Sequence, residues 1–126
     1  MFDDKDPMLA RVRELAQTFP GNAEKVSFGR PAFFTKKVFA YFGCSVRLDG
    51  AWIQHPQSIV VDTDEDERVA MLADKRFFVP AYLGAWGWVA CDLGPKTDWD
   101  EVNELLDASY RLTAPKKLVE EHDLRG

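Results

Sequence analysis

The stretch 81-AYLGAWGWVACDLG-94 decides the fold, because it contains the clearest strand signal in the chain. Side chains alternate between the two faces of a β-strand, so every second residue shares a face. One face holds the apolar residues Val89, Cys91 and Leu93. The other face holds Trp86, Trp88, Ala90 and Asp92. We interpret the first face as the core face, and the second as either a binding surface or a second packed layer.

On the N-terminal side of this stretch, the sequence predicts a helix, a run of strands and a second helix. Asp6 and Pro7 are typical of a helix start, and a run of short strands follows that helix. Asp49-Gly50 is a dipeptide suited to a tight hairpin turn. Acidic residues at 64–67 predict the start of a second helix, where the helix dipole favours negative charge. The residues predicted for the buried side of this helix are Val69, Leu72 and Ala73.

The segment 76-RFFVPAYLG-84 reads as an irregular connection, and two helices follow the strand at 86–94. Asp98 and Glu101 form a capping-box pattern, and Pro115 starts a short last helix. The order helix, strands, helix, strand, helices predicts an α+β fold. We expect one domain, 1–126, with two layers: an antiparallel sheet of about five strands and helices packed on one face.

Composition favours a globular protein with an ordinary core. The chain has 126 residues, 46% of them hydrophobic, and a net charge of −5. No apolar run approaches the roughly 18 residues of a membrane span, and the acidic N-terminus lacks a signal-peptide layout. We therefore expect a cytoplasmic protein with no membrane partner. Cys44 and Cys91 lie in apolar strand-like runs, which indicates buried free thiols.

No catalytic or metal-binding pattern stands out. His55 reads as a turn residue between strands, and His122 as part of a solvated tail. The acidic run at 62–67 lacks the glycine and closing glutamate of a calcium loop, so helix capping explains it. The sequence carries no phosphate-binding glycine pattern and no nucleophile motif. We expect no catalytic residue, metal or cofactor; an enzyme holding an anionic substrate with Arg111 is the least favoured reading.

A basic and aromatic segment at 25–47 gives the leading functional hypothesis, nucleic-acid binding, with DNA as the first candidate. It contains five cations and no acid, although the rest of the chain carries a net charge of −10. Cations could contact phosphates and rings could contact bases. The candidate contact residues are Lys25, Arg30, Lys36, Lys37, Arg47, Lys116 and Lys117. The competing interpretation is a solvated outer face, with about half of the rings turned into the core by strand alternation.

The alternative hypothesis is a module that binds a protein or a small ligand through aromatic side chains on the sheet. Its candidate contact residues are Trp52, Tyr82 and Trp86. A homodimer formed through an exposed sheet face or edge is a variant of this hypothesis. It predicts an exposed apolar patch larger than a monomer normally carries.

The chain resembles the MmcQ/YjbR-like family of small bacterial proteins along nearly its whole length. The matching motifs are 28-FGRPAF-33, 38-VFAYF-42, 80-PAY-82, Gly84, 87-GW-88, Leu93, 109-SYRL-112 and 115-PKKL-118. The resemblance implies an antiparallel sheet with helices, like that of secretion chaperones. It implies no established reaction and no catalytic residues, and DNA binding enters only by analogy of fold.

The resemblance also separates the two tryptophans of the opening stretch. Trp88 matches a tryptophan of the family pattern, so we expect it to be largely buried against 80-PAY-82 or Tyr110. Trp86 lies at an open position of the pattern and is expected to be exposed. The chain departs from the family where members often carry a lysine, in the strand where this sequence has Trp52 and Gln54.

Overall fold

The computed structural model describes residues 2–125, which form four α-helices and one six-stranded sheet. The helices are α1 (Pro7–Ala16), α2 (Glu65–Leu72), α3 (Trp99–Thr113) and α4 (Lys116–Arg125). The strands are β1 (Ala23–Ser27), β2 (Arg30–Phe34), β3 (Val38–Leu48), β4 (Ala51–Val61), β5 (Phe77–Phe78) and β6 (Val89–Asp92). The predicted α+β class is confirmed.

The strands lie in the order β1-β2-β3-β4-β6-β5, and all neighbours are antiparallel. The first four strands form a meander of consecutive hairpins. The last strand in this order is β5, which has only two residues and lies at the edge of the sheet. Phe77 of β5 pairs with Cys91 of β6, and Phe78 pairs with Ala90. The sequence predicts an irregular connection at this segment, because a strand of two residues is too short to show an alternation of apolar and polar side chains.

The long hairpin of β3 and β4 runs through the middle of the sheet. Each strand has 11 residues, and they meet at Asp49 and Gly50, whose φ angles of 49° and 79° define a left-handed two-residue turn. The predicted turn is confirmed. His55 was expected in a turn but lies within β4, opposite Cys44, because β4 continues through Pro56.

A β-bulge shifts the alternation at the start of β3. Phe33 pairs with Ala40 and Phe34 pairs with Val38, so Phe39 is the extra residue. Regular strand alternation predicts that Phe39 and Tyr41 share a face. Instead, Phe39 packs in the helix-side core and Tyr41 packs on the opposite face. The bulge therefore adds one more large ring to the core beneath the helices.

Helices α1 and α3 cover one face of the sheet. Their buried residues Leu9, Val12, Ala16, Val102, Leu106 and Tyr110 pack on a set that includes Val89, Cys91 and Leu93. The predicted core face of the opening stretch is confirmed. Ser109 ties the layers together, because its hydroxyl donates to the carbonyl of Phe39 (2.6 Å) and accepts from the N–H of Asp62 (2.9 Å).

A second, smaller layer covers part of the opposite face. Its buried residues are Ala32, Tyr41, Cys44, Val60 and Ala90, and it is completed by Val38, Phe78, Leu83 and Trp88. The connection after β5 supplies Leu83 and Trp88, so this chain segment takes the place of a helix on that face. Of the two interpretations given for the second face, the packed layer applies to Trp88 and Ala90.

The predicted helix starts are confirmed by their caps. Asp6 accepts from the N–H of Met8 (2.8 Å), and Asp64 accepts from the N–H of Glu67 (2.8 Å). Asp98 caps α3, although the side chain of Glu101 binds Arg76 (2.8 Å) instead of completing the capping box. Capping thus accounts for the acidic residues at the start of α2.

Helix α2 packs only partly as predicted. Leu72 approaches the core as expected, together with Met71, whereas Val69 and Ala73 are exposed. Because the helix has only two turns, a small rotation about its axis changes which side chains face the core. Within residues 2–125, no helix has the length and apolar character needed to cross a membrane.

Candidate functional site

The far end of the β3–β4 hairpin leaves the packed body of the protein. We call this part, Ser45–Leu48 with Ala51–Gln54, the distal hairpin. Its register pairs Ser45 with Gln54, Val46 with Ile53 and Arg47 with Trp52. Ser45 and Val46 are half-buried and the other six residues are exposed, whereas Ile59, Val60 and Val61 further along β4 are buried. The distal hairpin therefore has two faces available for contacts.

Arg47 and Trp52 form the centre of one of these faces. They are direct cross-strand partners, and the Arg47 guanidinium lies 4.7 Å from the centroid of the Trp52 ring. Tyr82, from the connection after β5, stacks on the same indole with ring centroids 5.8 Å apart and an interplanar angle of 24°. Trp52 remains 47% exposed and Tyr82 77% exposed. The rings thus form a platform open to solvent.

The backbone at Tyr82 is strained. Its φ and ψ of 65° and −61°, with an N–H···O bond from Leu83 to Ala81 of 2.7 Å, define a γ-turn that is rare for any residue other than glycine. Such a conformation costs about 1–3 kcal/mol and persists only where surrounding contacts enforce it. A bond from the N–H of Ala81 to the carbonyl of Ser45 (2.8 Å) fixes the turn against the distal hairpin.

Arg30 extends the same face toward β2. Its Nη2 donates to Oε1 of Gln54 (2.7 Å), and Gln54 shares a face with Trp52 because two residues separate them along β4. Within residues 2–125, neither Arg30 nor Arg47 forms a salt bridge. We call Arg30, Arg47, Trp52, Gln54 and Tyr82 the arginine–aromatic face.

Gly43 gives Arg30 the room that it occupies. A Cβ at position 43 would lie 2.7 Å from Nη1 of Arg30 and 3.1 Å from the carbonyl oxygen of Pro56. The φ of Gly43 is 86°, in the region that favours glycine. Any side chain at this position would therefore displace Arg30 and strain the backbone.

The remaining predicted cations lie elsewhere. Lys25 is on β1, with Nζ 4.7 Å from the Phe34 ring centroid. Lys36 and Lys37 occupy the turn between β2 and β3, at the opposite end of β3 from Arg47. Ten residues at about 3.3 Å each separate Lys37 from Arg47 by roughly 30 Å along the strand. The last two candidates, Lys116 and Lys117, begin α4. The structure thus brings together only Arg30 and Arg47 of the seven.

The two tryptophans of the opening stretch have different surroundings. Trp86 ends a short 3₁₀ helix, Leu83–Trp86, and is 80% exposed, as expected. Trp88 is half-buried, and its ring lies edge-on to Tyr41 with centroids 5.6 Å apart. The expected contact of Trp88 with Tyr110 is wrong, because Tyr110 lies in the helix-side core, where it packs on Phe19 and Phe39.

Phe28 is an exposed aromatic that the sequence analysis did not single out as a contact residue. It lies in the turn between β1 and β2 and is 94% exposed. Its φ of 53° is an outlier for a bulky side chain. The signal in the sequence was the dipeptide Phe28-Gly29, where Asn-Gly would be the ordinary turn. The turn lies at the same end of the meander as the distal hairpin.

Both histidines have carboxylate partners. His55 follows the distal hairpin on β4, and its Nδ1 lies 2.8 Å from Oδ1 of Asp92 on β6. Nε2 of His122 lies 2.6 Å from Asp107, and its ring packs 5.0 Å from that of Phe19. The prediction of a solvated tail is therefore wrong for His122, because α4 folds back against α3 and against Phe19, which follows α1.

The two cysteines are poor nucleophiles. Both are buried and unpaired. Burial raises the pKa of the Cys44 thiol, and it raises the pKa of Cys91 to about 12. A thiol in this state does not form the reactive thiolate near neutral pH. Among residues 2–125, no group of three or more metal-ligating side chains comes together.

Comparison with solved structures agrees with the fold described above. The crystal structure of the Deinococcus radiodurans protein DR2400, described as a DUF419 domain, has a similar fold with a TM-score of 0.61. The two chains are 16% identical, and the alignment covers 91% of this chain and 87% of that chain. At this identity the likeness establishes the fold, an open antiparallel sheet with helices, and nothing about function.

The family assignment comes from the sequence. The family model described as YjbR matches residues 17–112, and the chain therefore belongs to the YjbR family. The matched range includes all six strands and most of α3. That description names neither a reaction nor a ligand. Comparison with curated proteins finds no match.

Proposed function

We propose that the protein is a binding module for single-stranded nucleic acid, with the arginine–aromatic face as its contact surface. The observation that carries this proposal is the stack of Arg47, Trp52 and Tyr82, in which two exposed rings lie beside a guanidinium that has no carboxylate partner within residues 2–125. Proteins that bind single strands combine aromatic rings, on which bases stack, with cations along the backbone path.

The charge distribution limits how strong such binding can be. Only Arg30 and Arg47 of the seven candidate cations lie on this face, and the protein as a whole carries a net charge of −5. Few phosphate contacts imply modest affinity and a shallow dependence on salt. The rings would therefore supply most of the binding energy, on the order of 1–3 kcal/mol for each stacked base.

The test is titration of a fluorescein-labelled oligothymidylate of about fifteen nucleotides at low salt, followed by anisotropy. We expect saturable binding that weakens at least about tenfold in a double variant, Trp52→Ala with Tyr82→Ala. The matched control is Trp86→Ala, which removes an exposed ring from the neighbouring 3₁₀ helix and leaves the stack intact. Absence of binding at low salt, or equal affinity of the double variant and the wild type, would overturn the proposal.

A second candidate function is self-association through the edge strand β1. Val26 and Phe28 are large apolar residues exposed on this edge, and β1 pairs only with β2. An unpaired strand edge can pair with the same edge of a second copy. Light scattering tests this candidate: a dimer that becomes a monomer in Phe28→Asp supports it, and a monomeric wild type at high concentration rejects it.

A further inference from the structure

The opposite face of the distal hairpin lines a groove of about 850 Å³ that the proposed nucleic-acid surface does not use. Val46 and Ile53 of the distal hairpin line it together with Phe77 and Phe78 of β5. The loop from Leu93 to Asp98 and the first turn of α3 contribute the rest of the lining. This size and an apolar lining are typical of sites for small organic ligands.

The carboxylates that line the groove are already engaged. Asp92 pairs with His55 (2.8 Å), and Glu101 pairs with Arg76 (2.8 Å). Asp98 accepts from backbone N–H groups at the start of α3, so this helix end has its own capping acid. Hydrogen bonds therefore already engage a side-chain oxygen of each of these three acids.

The cations of the groove are not all engaged in this way. Lys75 and Lys96 line it, and neither forms a salt bridge within residues 2–125. By contrast, Nδ1 of His55 is engaged by Asp92. Lys75 and Lys96 therefore present ammonium donors without a carboxylate partner among the described residues, and an anionic group is the acceptor that such donors bind most strongly.

We infer that this groove binds a small amphiphilic anion, a molecule with an apolar body and one carboxylate or sulfonate group. The apolar body would lie between the distal hairpin and β5, and the anionic group would lie toward Lys75 and Lys96. Burial of the apolar body supplies affinity, and the two ammonium groups bind the anionic group. The inference does not depend on nucleic-acid binding, because the two surfaces occupy opposite faces of the hairpin.

The probe for this inference is 8-anilinonaphthalene-1-sulfonate, an aromatic sulfonate whose fluorescence rises in an apolar site. We expect saturable one-to-one binding that decanoate displaces and that decanol at equal concentration displaces less. The double variant Lys75→Glu with Lys96→Glu should weaken binding at least about tenfold. Its matched control, Lys36→Glu with Lys37→Glu, makes the same change in net charge outside the groove and should stay within about twofold.

Three results would overturn the inference. Equal losses in the two double variants would mean that net charge alone controls the probe, and unchanged binding in the groove variant would place the probe elsewhere. Equal displacement by decanol would remove the requirement for an anion. Amide chemical shifts provide a second measurement: decanoate should perturb Ile53, Phe77 and Leu93, and Trp52→Ala should leave decanoate binding intact.

Discussion

The two halves of the β3–β4 hairpin belong to the same pair of strands but have opposite environments. Toward Phe42 and Ile59 the strands are covered on both faces, by α1 and α3 on one side and by the connection after β5 on the other. Toward Arg47 and Trp52 no helix covers the strands, and most side chains are exposed. The packed half carries stability, and the distal half presents both candidate binding surfaces.

The largest contrast should appear when an aromatic ring is removed from the packed half. Phe42 is fully buried in the helix-side core. We expect Phe42→Ala to lower the free energy of unfolding by about 3–5 kcal/mol, because it removes buried apolar area and leaves a cavity. Urea denaturation followed by circular dichroism measures this. A loss below about 1 kcal/mol would contradict the assignment of this half to the core.

The next largest contrast concerns thiol reactivity. Cys44 lies in the packed half, and Cys91 lies on β6 opposite Ile59 of that half; burial raises the pKa of both thiols and therefore lowers the thiolate fraction at pH 8. We expect both to react with Ellman's reagent at least about 100-fold more slowly than an exposed thiol. Ala51→Cys supplies that exposed thiol on the distal hairpin. Urea should make all three thiols react quickly; rapid reaction of the wild type in buffer would contradict the packing.

A smaller effect is expected for the hydrogen bonds between the layers. Ser109→Ala leaves the carbonyl of Phe39 and the N–H of Asp62 without their buried partner. Each such group costs about 1–3 kcal/mol, partly recovered if water enters. We expect a net loss of about 2 kcal/mol in urea denaturation. Ser27→Ala, at the end of β1, is the control and should change stability by less than about 0.5 kcal/mol.

The smallest effect on stability should come from Trp52→Ala in the distal half. The side chain is half exposed, and its neighbours Arg47 and Tyr82 remain solvated after the substitution. We expect the free energy of unfolding to change by no more than about 1 kcal/mol. Near-wild-type stability together with lost oligonucleotide binding would support separate roles for the two halves of the hairpin. A loss of unfolding free energy comparable to that of Phe42→Ala would contradict them.

The sequence predicted the elements whose signals are local. Asp6, Asp98 and the Asp49-Gly50 turn act through neighbouring residues, and each lies where its pattern placed it. The core face of β6 was also predicted, because apolar alternation there is regular. These features depend on backbone geometry and burial, which a short window of sequence records.

The features that the sequence missed depend on contacts between distant segments. Phe39 faces the helices only because a bulge opposite Phe34 breaks the alternation. Trp52 and Tyr82 were separate candidates, and their stacking required the connection after β5 to fold against the distal hairpin. The basic segment at 25–47 reads as one patch along the chain. The meander carries Lys36 and Lys37 to one end of the sheet and Arg30 and Arg47 toward the other, with Lys25 in the middle of β1.

The two residues at which the sequence departs from the family pattern lie on the arginine–aromatic face. They are Trp52 and Gln54, in the strand where the resemblance to the family implied a lysine. Two arginines from neighbouring strands, Arg30 and Arg47, contact these two residues. Positive charge at this place therefore comes from β2 and β3 in this protein.

The strand order also has a consequence for the kinetics of folding. Each strand from β1 to β4 pairs with the next along the chain, so these contacts close short loops. In contrast, β6 pairs with β4 through Val61 and Val89, across a connection that includes α2 and β5. Loop closure makes such a pairing entropically slower than a hairpin. The docking of β6 completes the central sheet, and it is the step at which we expect the folding barrier to lie.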